Sequence, residues 1–568
     1  MTRNSFRRVA LRLVMPCLCA ALLAPAMTRT PAHARSPHPA MPPAAAPPSE
    51  ADTVRFLEQA TFGPADALIA KVQAQGFDAW LTEQFSAPVS AYPDLPVFPA
   101  SSATGCPQGT TIPNCFRDNY TMYPLQVRFF QNALNGEDQL RQRVSFALSQ
   151  ILVVSGVEIQ QPSSMGLYLN LLTQGAFGNF RDLLYNVTLS PAMGDYLDMV
   201  NNTKPIPAKG IEPNENYARE VLQLFSIGTT RLNPDGTPQT DAAGNPREAY
   251  DQETIEGFAH VFTGWTYAPL PGQASRASNP RNYAQAMILY RDAKGVDVNH
   301  DKGAKTLLQY NAARYPVIAA GQDGEKEIGQ AIDNIFYHPN VGPFIGKQLI
   351  QRLVTSNPSP GYVRRVTAAF NDNGGGIRGD LRAVVRAILL DAEARGDAPG
   401  DAQYGRLREP VQFIAGLLRA FGASSDGVLA DYARNMGQNL FNSPSVFNYF
   451  PPDYVVPGTA VTGPEFAIQN SSAAISRLNF VNTIAFSRIN ISGSTGTQIN
   501  LGSLQILAAN PVNLVERLNR LLLHGTMPAQ MKNEIVRTVT AIPAASAARR
   551  AQTALYLTAT ASPYQVER

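Results

Sequence analysis

The sequence predicts a mainly α-helical protein, one large multi-helix globular body with a small β-hairpin excursion. Apolar residues recur at helical spacing through most of the chain beyond residue 50. Strand patterns are sparse, confined to 229–250 and 283–290. The 44 Pro and 42 Gly break the pattern too often for one continuous coiled coil, while 44% hydrophobic against 16% charged residues excludes a wholly disordered chain.

The first element reads as a leader. Arg3, Arg7, Arg8 and Arg12 precede the apolar run Leu13 to Ala24, and small residues follow at 24–26 and 32–34, so residues 1–34 read as a secretory signal peptide. The run is well short of the ~20 residues a spanning helix needs, and no later segment supplies one, so no membrane span is expected. Arg7-Arg8 leaves the twin-arginine route open beside the Sec route. Lipidation is disfavoured, because Pro16 and Leu18 stand before Cys17 and Cys19 where a small residue is wanted. The mature protein is expected in the periplasm or outside the cell.

Residues 35–49, rich in Pro and Ala and free of aromatics, read as an extended linker. Helices follow from residue 50, with Val54 and Leu57, then Leu68, Ile69 and Val72, on apolar stripes. In 140–154, Leu140, Val144, Ala147, Leu148 and Ile151 form a stripe with Arg141 and Arg143 off it. The spacing predicts further helices over 178–189, 214–227, 251–262, 325–336, 341–354, 361–370, 378–392, 408–421, 464–487, 511–523 and 527–540. Between them, 229–250 carries the turn pairs Asp235-Gly236 and Gly244-Asn245, the signature of the hairpin excursion, and 283–290 reads as a short strand. No fixed-period repeat argues for a solenoid. The Gly- and Pro-bearing stretch 395–405 suggests a hinge between an N-terminal helical body, 50–395, and a C-terminal helical lobe, 396–568, within what can equally be one domain.

The formal charge of +3 falls to −2 once the leader arginines, Arg3, Arg7, Arg8, Arg12 and Arg29, are removed, so no net-basic footprint for nucleic acid exists. Beyond the leader only Cys106 and Cys115 remain, in GCPQGTTIPNC. A disulfide is the natural reading in an oxidising compartment, and a two-cysteine metal site is the rival, with no histidine nearby in sequence.

Several blocks stand out in order: FLEQATFGP at 56–64, GFDAWLTEQF at 76–85, LRQRVSFALSQILVVS at 140–155 and SPAMGDYLD at 190–198. PNENYAREVLQLFSIGT at 213–229, FTGW at 262–265, HDKGAK at 300–305 and HPNVGPFIGKQLIQRLVTSNP at 338–358 continue the series. GDLRAVVRAILLDAEAR at 379–395, LREP at 407–410 and SPSVFNYFPPDY at 443–454 complete it. Taken together, over roughly 52 to 490, they resemble the bacterial exported family catalogued as domain of unknown function 1800. The resemblance implies a predominantly helical exported protein, often encoded beside a second exported, sulfatase-like protein that is a candidate partner. It carries over no catalytic residues.

Candidate chemistry therefore rests on side chains. In PNENYARE, Asn214 suits an N-cap, Glu215 favours the helix N-terminus, and Glu215 can pair with Arg219 across one turn. Asn216 and Glu220 flank the stripe of Tyr217, Val221, Leu224 and Phe225, where a half-buried carboxylate can serve as acid, base or metal ligand. A capped surface helix with an ordinary ion pair explains the same residues. In HDKGAK, His300 and Asp301 lie on a Gly-flanked loop where an imidazole beside a carboxylate can bind a divalent metal or act as an oriented base, with Lys305 neutralising an anion. A hydrogen-bonded turn with a Lys–Asp contact is the plain alternative. Glu253, Glu256 and His260 share a helix face whose E-x-x-E-x-x-x-H spacing could hold a metal but matches neither the HExxH nor the di-iron ExxH arrangement, so it reads as solvated, and Trp265 reads as a core anchor or a stacking platform.

The chain lacks GxSxG, GxGxxG and CxxC motifs, which withdraws support from the commonest acyl-transfer, dinucleotide and thiol chemistries. Asp235, Asp241 and Asn245 lack EF-hand spacing, and turn chemistry accounts for them. Two functions remain. One is an envelope enzyme with a carboxylate and histidine cleft, using Glu215, Glu220, His300 and Asp301, with Glu220, His300 and Asp301 as ligands for a divalent cation. The other is a non-catalytic helical scaffold for the sulfatase-like partner.

Overall fold

The computed structural model describes residues 47–396, 403–491 and 493–568. The expected leader and most of the expected linker, residues 1–46, lie outside the described residues, as do 397–402 within the expected hinge. Among the described residues there are 24 α-helices and four two-stranded antiparallel pairs, so the fold is mainly α. None of these helices is long and apolar enough to cross a membrane.

The chain enters through helix Glu50–Ala60, whose N-cap Ser49 accepts a hydrogen bond from the Asp52 N–H. Its apolar face, Val54, Phe56 and Leu57, is fully buried. Helix Gln139–Ser149 is covered almost all round, with Gln139 through Leu148 buried. The two arginines off its stripe therefore point into protein. Arg141 donates to the Thr173 and Phe85 carbonyls, and Arg143 donates to the Arg352 carbonyl. Burial, reinforced by the nearby Arg406 cation, lowers the Arg143 pKa to about 9.

One hydrophobic cluster runs from Val54 to Tyr564, so helices on both sides of residues 395–405 share a core. Residues Pro47–Arg568 form one compact unit. Polar contacts also span the expected hinge. Glu58 of the first helix meets Arg408 at 2.8 Å and His524, and Arg406–Leu407 pairs with Val566–Glu567. Arg406, fully buried, faces the carboxylates of Glu409, Glu465 and Glu567.

Most predicted helices are present with trimmed ends. The 214–227 prediction shortens to Asn216–Gln223, because the chain turns out of the helix to reach Gly228 at φ +72°. The 464–487 prediction divides into a 3-10 turn at Pro464–Ile468 and a helix at Ser471–Phe486, started afresh by the Asn470 side chain on the Ala473 N–H. The excursion at 229–250 folds back on itself at Gly236 and Gly244, both with positive φ. Its pairs are isolated bridges, including Leu232 with Pro238 and Thr240 with Pro246. Proline offers no N–H, so the ladder cannot continue. Within 283–290 only Ile288–Leu289 pairs, with Trp265–Thr266. Cys106 and Cys115 form the disulfide, with Cα atoms 5.7 Å apart.

Candidate functional site

The HDKGAK loop is held against the helix Gln252–Val261 by close backbone approaches. Asp251 caps that helix, its carboxylate accepting the Thr254 N–H at 3.0 Å. Ile255, Phe258, Ala259 and Val261 are buried, Glu253 and Glu256 are exposed, and His260 emerges from the last turn with 29% of its side chain exposed. A Cβ on Gly257 would lie 1.8 Å from the Thr306 carbonyl oxygen, and one on Gly264 (φ +85°) would lie 2.9 Å from the His300 nitrogen. Only glycine lets the two segments come this near.

Two layers result. In the outer layer His260 Nδ1 meets Asp301 Oδ2, and the other Asp301 oxygen accepts the Gly303 N–H at 2.5 Å. The Asp301 N–H donates to Thr263 Oγ1 at 2.9 Å, and that hydroxyl donates to the His260 carbonyl at 2.7 Å. Burial of Asp301 favours its neutral form, but the Gly303 amide, His260 and Lys305 together outweigh it and hold the carboxyl below the ordinary range. His260 Nε2 makes no hydrogen bond among the described residues.

Beneath lies a fully enclosed layer. His300 Nδ1 faces the Thr263 carbonyl at 2.9 Å, and its Nε2 faces Glu327 Oε2 at 3.0 Å. Lys305 Nζ meets the same Glu327 oxygen at 2.8 Å and donates to the Asp301 and Gly303 carbonyls. His300, Lys305 and Glu327 are at most 3% exposed. The anion that Lys305 neutralises is thus internal.

The structure gathers His300, Asp301 and Lys305 with two residues that sequence reasoning did not join to them. The helical spacing puts His260 on a solvated face, and Glu327 falls within the helix expected over 325–336 with no pattern that marks it. The Glu-x-x-Glu-x-x-x-His spacing was the one available signal for His260. The residues of PNENYARE belong to a neighbouring helix that packs against Gln252–Val261, with the Tyr217 and Phe262 rings 5.0 Å apart. Glu215 is engaged by Arg219 at 2.8 Å and by Gln252 Nε2 at 3.0 Å. Asn216 Nδ2 reaches Asp198 at 3.2 Å, and its N–H is capped by the Asn214 side chain. Glu220 is half-buried, with Oε2 enclosed and without a hydrogen bond. Burial raises its pKa against the pull of Arg219. Trp265 is buried at 2% exposure in the short strand pair.

A divalent-cation site built from Glu220, His300 and Asp301 does not fit this arrangement. Both His300 nitrogens face protein oxygens, and Asp301 is committed to His260 and Gly303. Among the described residues no group of three or more His, Cys, Asp and Glu side chains is placed to hold a metal ion. What the outer layer can do is move a proton: a carboxylate fixes one imidazole nitrogen and leaves the other free, as a general base requires.

Comparison with curated proteins and with solved structures finds no match. A family model described as Protein of unknown function (DUF1800) matches residues 55–566, nearly the whole described chain. The chain belongs to the DUF1800 family.

Proposed function

We propose that the protein is an exported hydrolytic enzyme whose general base is His260, oriented by Asp301. The observation that carries this reading is the pair itself, a half-exposed imidazole with Nδ1 held by a carboxylate and Nε2 free. In the proposed step His260 Nε2 takes a proton from water as the water oxygen bonds to the electrophilic centre of the substrate. The imidazolium returns that proton to the leaving group as the scissile bond breaks, and Asp301 remains ionised throughout. The Glu327–Lys305–His300 layer keeps the Asp301 loop in place. His300 and Lys305 are positioning residues in this scheme.

Export is part of the proposal. An arginine-led apolar leader with small-residue cleavage sites and the Cys106–Cys115 disulfide both suit an oxidising compartment, the periplasm or the exterior. The test is a screen of the mature protein against chromogenic esters, phosphates, sulfates, glycosides and peptides, alongside His260→Gln and Asp301→Asn. The expected result is a hydrolytic activity lost in H260Q and strongly reduced in D301N, with unchanged helical circular dichroism. Activity retained in H260Q, or no activity on any class, contradicts the reading.

A further inference from the structure

Away from the His260–Asp301 pair, and sharing no residue with it, a cavity of about 340 Å³ opens between the end of helix Asn216–Gln223, helix Val341–Leu353 and the segment Phe447–Asp453. Its size falls within the ~300–1,000 Å³ of small-molecule sites. The walls are largely apolar, with Leu224, Ile227, Phe344, Phe447 and Pro451 among them. Gly228, at φ +72°, shapes one wall: a Cβ there would lie 2.7 Å from the Phe344 ring, so the glycine lets that ring close over the chain. Phe447 is 48% exposed at the rim, a large ring left in solvent beside an apolar hollow.

Two polar groups give this hollow its chemistry. Gln348 lines it, is 7% exposed, and has its Nε2 enclosed without a hydrogen-bond partner. A buried amide donor left unpaired costs about 1–3 kcal/mol. Lys347, the neighbouring residue on the same helix, is exposed at the cavity, and no ion-pair partner for it exists among the described residues. An apolar hollow with an unsatisfied donor and an unpaired ammonium calls for an acceptor oxygen that carries negative charge.

We propose that this cavity binds a small carboxylic acid with an aromatic or aliphatic body, its carboxylate met by Lys347 and Gln348 and its body packed on Phe344 and Phe447. Asp453 also lines the cavity and is exposed, so an amine-bearing ligand is the competing chemistry.

The experiment is isothermal titration calorimetry of the full mature protein with phenylbutyrate, phenylbutanol and phenylbutylamine, three probes with one body and three head groups. The expected result is saturable binding of phenylbutyrate, weakened about tenfold or more in the alcohol and in the amine. Lys347→Met, an exposed position that leaves the core untouched, weakens phenylbutyrate by a similar factor, and Gln348→Leu and the cavity-filling Leu224→Trp weaken it further. Absence of saturable binding at millimolar phenylbutyrate overturns the proposal. So does equal or tighter binding of the alcohol or the amine, or phenylbutyrate affinity unchanged in Lys347→Met.

Discussion

Replacing Glu327 with Gln removes one negative charge from a site where water cannot replace it. Glu327 Oε2 lies 2.8 Å from Lys305 Nζ and 3.0 Å from His300 Nε2, and the Glu327 and Lys305 side chains are 0% and 1% exposed. Breaking one half of a buried ion pair costs ~3–5 kcal/mol, because the remaining charge stays enclosed. The Asp301 and Gly303 carbonyls still accept from Lys305, which places E327Q near the lower end, at about 3 kcal/mol. Over a unit spanning Pro47–Arg568, an unfolding entropy of ~2.1 cal/mol/K per residue makes this a fall of about 3 °C in Tm. Urea unfolding followed by circular dichroism measures the loss for E327Q, for Lys305→Met and for the double variant. The double variant is expected to lose at least about 1 kcal/mol less than the sum of the single losses, since the second change removes a charge already stranded. A loss below about 1 kcal/mol in E327Q, or strict additivity, would refute the view that this layer holds the HDKGAK loop.

Burial, aided by Arg231 and Arg378, lowers the His338 pKa to about 4, so folding favours its neutral ring. Its contribution is complete above pH 6.5 and is lost as pH falls toward 4, worth about 3 kcal/mol; His338→Asn, which keeps an acceptor for the Asn340 N–H, flattens that slope in urea titrations between those limits, and an unchanged slope contradicts the assignment. Gly257→Ala loses about 1–3 kcal/mol in the same assay although alanine is the better helix former, because its Cβ meets the Thr306 carbonyl; a stabilised variant contradicts this. Cys106→Ser with Cys115→Ser loses about 2–3 kcal/mol at most and keeps its far-UV helical signal at room temperature, since the bond closes a loop of sequence separation 9; global unfolding contradicts this.

The fold was legible where one face of a helix does the packing. The predictions at 325–336, 341–354 and 511–523 match helices at 324–336, 341–353 and 511–523, each with a continuous buried stripe. Helix Pro162–Gly175 has the buried stripe Met165, Tyr168, Leu169 and Leu172, but Ser163, Ser164, Gly166 and Thr173 are buried beside it and blur the polar face that would set the stripe off. Period-based reading weakens where small polar residues and glycine are buried beside the apolar stripe. The hairpin excursion was legible from its two glycine turns, but its prolines reduced it to bridges.

At the site, Asp301 was legible as a loop carboxylate beside an imidazole, but the imidazole that holds it comes from 41 residues earlier in the chain. His300, its neighbour in sequence, turns inward to Glu327, 27 residues later. Pairings at such separations are fixed by how the helix and the loop pack, through Gly257 and Gly264, and leave no local pattern to read. Glu220 illustrates the limit from the other side: its position beside an apolar stripe was readable from spacing, but the enclosure of its Oε2 without a hydrogen bond was not.

Carbethoxylation with diethyl pyrocarbonate, following hydrolytic activity and locating the modified histidine by peptide mapping, tests whether His260 is the working base. Among the described histidines His260 has 29% of its side chain exposed, while His300, His338 and His524 are 0%, 4% and 6% exposed. Activity is expected to fall in step with modification of His260 alone, before the other three react. Full activity with His260 modified, or inactivation that tracks His300, His338 or His524, would contradict it.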